Sequence, residues 1–215
     1  MGSSVRKTSD KIKKLLKETI ELNPSIDSKE VIPQIAVETL RSKKTKGYFA
    51  DKDFVVLAGG GFACFKKAKE LGLDKFLQEY NVQNEKMTII EVQKIIESIL
   101  DKIEDENGEI DSTLILAAFK SAMTNMLLNK LDDPSKFLNV FCEIFICMVI
   151  REDANEALTS VFKDTSAEIF DKNIEAFSKK YVKENFSELI IKCNNGEIQI
   201  NELIQKLQDI LKNGE

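Results

Sequence analysis

Apolar and polar positions alternate at a helical rhythm along most of the chain. In the stretch 88–104, Ile89, Val92, Ile95, Ile96, Ile99 and Ile103 fall on one stripe, the 3.6-residue spacing of a helix with one buried face. Ile200, Leu203, Ile204, Leu207 and Leu211 repeat that spacing in 199–212. Together with capping signals, the pattern predicts helices over 9–22, 27–42, 52–71, 73–80, 88–104, 111–131, 133–151, 153–163, 166–191 and 199–212. Asp27 with Glu30, Thr88 with Glu91, and Asp153 with Glu156 have the spacing of capping boxes, in which a side chain at each end serves the other's backbone N–H. Asp133-Pro134 is a cap followed by proline in the first turn, and Ile110-Asp111 opens the helix before it. Phe137 to Ile150 (FLNVFCEIFICMVI) is apolar nearly all round, so helix 133–151 is expected at the centre of the molecule. The expected fold class is all-α: a globular multi-helix array around 133–151, with a basic N-terminal helical segment.

Asn107-Gly108-Glu109-Ile110 recurs as Asn195-Gly196-Glu197-Ile198, each time between two helices. A calcium-loop reading puts Ile103 and Leu114, or Ile191 and Cys193, where oxygen ligands belong, and calcium needs six to eight oxygens. A helix, an Asn-Gly turn and a second helix fit better, with glycine relieving a left-handed backbone.

Gly59-Gly60-Gly61 is the oddest local feature. As strand, turn and helix it would cradle a phosphate, but the fingerprint G-x-G-x-x-G/A meets Cys64 at its third position and no Walker lysine follows. As a helix, it puts Phe54, Leu57, Ala58, Gly61, Phe62, Phe65 and Ala68 on one stripe. Three mid-helix glycines cost about 3 kcal/mol against alanine, which close packing of a neighbouring helix, or approach of a ligand, would offset.

Composition narrows the chemistry. The chain has no histidine and no tryptophan, which removes His-based triads, Cys-His pairs and His-ligated metals. The four cysteines (Cys64, Cys142, Cys147, Cys193) lie in or beside apolar helical segments without metal spacing, as reduced core residues of a cytoplasmic protein do. No cofactor and no metal site is expected. The longest apolar stretch is too short for a bilayer span and contains Glu143, so no membrane association is expected. Charge is uneven: residues 1–50 hold 11 Lys+Arg against 6 Asp+Glu, and the rest 20 against 30. The expected organisation is therefore a basic helical segment, 1–50, and a helical body, 51–215. Glu143 is a candidate buried carboxylate with a raised pKa. Met123, Met126 and Met148 fall on core-like helices, as filler or as the lining of an adaptable cavity.

Two short helices and a Lys-rich segment carrying Arg41, Lys43, Lys44 and Lys46 precede Tyr48-Phe49-Ala50-Asp51-Lys52-Asp53. This layout resembles TetR-type regulators over residues 1–50. The resemblance implies a helix-turn-helix head in which Lys43, Lys44 and Lys46 contact phosphates and Arg41 reads bases. The sequence departs from that pattern at Pro33, inside the second helix, and lacks a small-residue turn before the third. The expected function is a non-enzymatic binding or regulatory module acting through a protein partner or as a homo-oligomer. The alternative is a DNA-binding regulator using residues 41–46.

Overall fold

The computed structural model describes residues 2–23, 26–83, 87–162 and 166–213. Among these it forms α1 (Gly2–Leu22), α2 (Ser28–Leu40), α3 (Lys43–Phe49), α4 (Lys52–Leu71), α5 (Leu73–Gln78), α6 (Ile89–Asn107), α7 (Thr113–Leu128), α8 (Pro134–Val161), α9 (Ala167–Asn185), α10 (Ser187–Asn194) and α11 (Ile200–Asn213). The fold is all-α, 83% helical and without strands among the described residues. No described helix is long and apolar enough to cross a membrane.

The centre is α8, which touches α1, α2, α4, α7, α9 and α10. Its Phe137, Phe141 and Phe145 stand one turn apart, with ring centroids 5.8 and 6.4 Å apart in sequence. Phe54 of α4 packs 5.2 Å from Phe141 and 5.1 Å from Phe145. Phe65 stacks 5.4 Å from Phe137. All five rings are fully buried.

Three differences from the sequence expectation stand out. The expected helices 133–151 and 153–163 are one helix of 28 residues; residue 163 lies outside the described residues. Asp153 caps nothing, because its carboxylate turns to Lys44 instead. The expected helix 27–42 stops at Leu40, and Ser42 starts α3 by accepting a hydrogen bond from Thr45 N. The expected helix 166–191 breaks at Phe186. There the ring enters the core beside Phe49, and Ser187 Oγ donates to Asn139 of α8. The residues leading into α7 are anchored from another helix: Asp111 N and Ser112 N donate to Asp53 Oδ2 at 2.9 and 2.8 Å. The adjacent Lys52 donates to the Asn107 carbonyl at 2.5 Å. Consecutive residues of α4 thus hold both ends of the α6–α7 connection. The Asn-Gly turns place Gly108 at φ 87° and Gly196 at φ 77°, the left-handed region glycine tolerates.

The glycine triplet lies inside α4, whose helix runs through it unbroken. A Cβ at Gly61 would fall inside the Phe137 ring, and one at Gly60 would lie 2.5 Å from Ile103 Cδ1. A Cβ at Gly59 would meet nothing within 4 Å. Three alanine substitutions in one helix should therefore separate. Gly61→Ala is expected to lose about 1–3 kcal/mol, because the buried Phe137 ring has nowhere to move. Gly60→Ala should change stability by less than about 1 kcal/mol, since Ile103 offers only a flexible end. Gly59→Ala should gain about 0.5–1 kcal/mol. Urea unfolding of the three variants measures the order, and equal losses at all three would refute this packing.

Candidate functional site

Residues 1–50 do not stand apart from the body. Ile12, Leu16, Val31, Ile35, Leu40 and Phe49 belong to the same buried cluster as Phe141 and Phe145. The inner face of α3 is core: Thr45 and Phe49 are buried, and Thr45 Oγ1 donates to the Thr39 carbonyl. Lys44, expected at a phosphate if the head met DNA, is committed to α8. Its Nζ lies 2.8 Å from Asp153 Oδ1 and 3.2 Å from Glu152 Oε2, and 5.8 Å from the Tyr48 ring. The Lys44 side chain is 12% exposed and that of Asp153 1%. Burial opposes the Lys44 charge, but the Asp153 and Glu152 carboxylates outweigh it and hold the ammonium above the usual lysine range. Asp153 Oδ2 is buried with no hydrogen-bond partner among the described residues, so Lys44 is what offsets the buried charge. Arg41 and Lys43 are exposed and Lys46 is half-buried.

Glu143 sits at the edge of α8 facing α9, half-buried. It lines a cavity of about 210 Å³ with Val140, Ile144, Met148 and Arg151. Burial raises the Glu143 carboxyl above its usual range, and Lys179 pulls it back in part. Arg151 is engaged by Asp171 and Glu175 at 2.8 and 2.9 Å. Met123 and Met126 are fully buried core residues, so only Met148 of the three lines this cavity. Burial pushes the Cys142 and Cys64 thiols up to about 12 and Cys147 to about 11. These thiols stay protonated at neutral pH, and a protonated thiol is a poor nucleophile. Among the described residues no group of three or more Asp, Glu, Cys or His is placed to hold a metal ion. The space over Gly60 and Gly61 is occupied by Ile103 and Phe137.

A further concavity lies between α2 and α9. A groove of about 440 Å³ is lined by Ile32, Pro33 and Val37 on one side and by Ala176, Phe177 and Tyr181 on the other. Phe177 and Tyr181 stack one turn apart at 5.8 Å. A smaller hollow of about 190 Å³ continues it past Val37 and Tyr181 to Arg41, Ile210 and Leu211. Pro33 has no N–H, so the Lys29 carbonyl, one turn back at the groove's rim, lacks its intrahelical donor. Charged side chains stand at the edge: Lys29, Lys180 and Glu184 along the groove, and Arg41 at its far end.

Of these lining residues the sequence reading singles out Arg41 as a candidate site residue, and Pro33 and Leu211 for other reasons. Pro33 reads there as a flaw in a DNA-binding helix. Its counterpart signal was an aromatic pair, Phe177 and Tyr181, at i,i+4 in the otherwise strongly polar stretch 167–185.

Two stability measurements test this electrostatic picture. Lys44→Met strands the Asp153 carboxylate and should cost about 3 kcal/mol, while Lys44→Met/Asp153→Leu should recover most of it. A double variant no more stable than the single would remove the buried pair from the account. Glu143→Gln should raise Tm by about 1–2 °C at neutral pH. The sign follows from linkage: a carboxyl raised in the folded state opposes folding while ionised, and the opposition fades as pH falls toward the ordinary value of 4.5. The two Tm curves should therefore converge on acidification; a gap that widens instead contradicts the assignment. No family model, no curated protein and no solved structure matches the chain.

Proposed function

We propose that the chain is a cytosolic binding or regulatory module that works through protein–protein contact, with the α2–α9 groove as its docking surface. The observation that carries this reading is the groove itself. It is an apolar trough between two helices, walled by a stacked Phe177–Tyr181 pair and edged with charge. Grooves of this form take the apolar face of a partner helix, and aromatic walls supply the anchoring pockets. The four unpaired cysteines support a reducing compartment.

Ala176 is exposed on α9 and Val37 is half-buried on α2, so both can change without opening the core. The tagged full chain and its Ala176→Glu and Val37→Asn variants, each checked for an unchanged Tm, should be used side by side to capture proteins from the source cell. The expected outcome is a small set of partners retained by the unaltered chain and depleted at least about tenfold by each variant, as loss of a central contact requires. The same partners held equally by all three proteins would overturn the groove as the docking surface.

A further inference from the structure

We propose, building on the docking role given to the groove, that its occupant is an amphipathic helix of a partner protein whose apolar stripe is flanked by acidic side chains. Length comes first. The lining residues of α2 run from Lys29 to Arg41, and those of α9 from Asn173 to Asn185. At 1.5 Å per residue each wall is about 18 Å long, room for roughly three helical turns. The Lys29 end of α2 faces the Asn173 end of α9, and Arg41 lies with Asn185. The two walls thus run in the same direction and form one continuous trough. A partner helix lying along it would meet Ile32, Pro33, Val37, Ala176, Phe177 and Tyr181 along its middle and polar side chains at the edges and ends.

Charge comes second. The chain as a whole carries −5, yet the groove edge presents Lys29, Arg41 and Lys180 against Glu184 alone. Neither Lys29 nor Arg41 enters an ion pair among the described residues, and the Lys180–Glu184 contact is long, at 3.9 Å. Elsewhere in the N-terminal segment Lys44 is paired with Asp153, Lys13 with Glu156 and Lys11 with Glu38, whereas Lys17, Lys43 and Lys46 are in no ion pair among the described residues. The cations at the groove differ from these in standing beside an apolar trough, where they face an incoming group. Exposed charges of one sign around an apolar trough favour a partner of the opposite sign, and they act mainly on selectivity and encounter rate.

The test uses the full chain and three labelled peptides of about 16 residues, read by fluorescence anisotropy. One carries leucines at helical spacing flanked by glutamates. The second replaces the glutamates with lysines. The third keeps the glutamates and replaces the leucines with serines. At about 50 mM salt the glutamate–leucine peptide should bind at least about tenfold more tightly than the lysine–leucine peptide, and the gap should shrink at about 300 mM. The serine peptide should not bind. Ala176→Glu should weaken both leucine peptides, and Lys29→Glu/Lys180→Glu should reverse their order. Equal affinity for both leucine peptides, lost in Ala176→Glu, would overturn the acidic partner while leaving the docking surface in place. Failure of both to bind would overturn both readings, as would binding indifferent to all the substitutions. Self-association seen by sedimentation and abolished by Ala176→Glu would give the groove to a second copy and overturn the inference.

Discussion

Phe137, Phe141 and Phe145 stack along one side of α8, and α3, α4 and α7 set aromatic rings against that column. The stacking follows from i,i+4 spacing on a single helix. Its consequence is a central helix that must be enclosed on several sides at once. Phe54 and Phe65 of α4, Phe119 of α7 and Phe49 of α3 reach the column from different directions, and Phe186 between α9 and α10 packs behind Phe49. The glycines of α4 belong to the same constraint. α4 can lie close to Phe137 only where it has no side chain, and Gly61 supplies that position.

Enclosure also explains the fate of the basic segment. A helix apolar nearly all round has more surface than α4, α7 and α9 cover, so α1 and α2 are drawn onto it. α3 follows as the link between α2 and α4. Once α3 lies there, Lys44 comes within reach of Asp153 on α8. The pair is favourable in place because a lone Asp153 carboxylate at 1% exposure would be far costlier. The positive charge that suggests a nucleic-acid head in the sequence is in part a device for docking the N-terminal helices on an acidic body.

The helical rhythm made the fold class and most elements legible. The central helix, the Thr88–Glu91 capping box and the Asn-Gly turns are where the residues put them. What the pattern could not show was the use of a side chain by a distant helix. Asp153 has the local spacing of a cap, yet its partner lies 109 residues away. Asp53 has no local signal at all, yet it anchors the residues that lead into α7. The break at Phe186 contains neither glycine nor proline; it exists because the ring is buried more favourably off the helix path. The groove was hidden for a similar reason. Pro33, Val37, Phe177 and Tyr181 become neighbours only when α2 and α9 lie side by side on α8.

The same economy of small side chains has opposite results in the interior and at the surface. Under α4 the missing volume at Gly60 and Gly61 is taken up by Ile103 and Phe137, so the gap closes and the helices approach. Between α2 and α9 the short residues are Pro33, Val37 and Ala176, and among the described residues no side chain fills the space opposite them. The large residues there, Phe177 and Tyr181, stack along α9 and not across to α2. They build a wall where a bridge would have sealed the trough. α2 and α9 both pack on α8 and also pack directly on each other beneath the groove. A trough walled by helices packed in this way keeps its shape while empty, and a preformed site spares a ligand the ordering cost that binding otherwise carries. The rigidity imposed by the phenylalanine column is thereby passed outward to the apolar trough between α2 and α9.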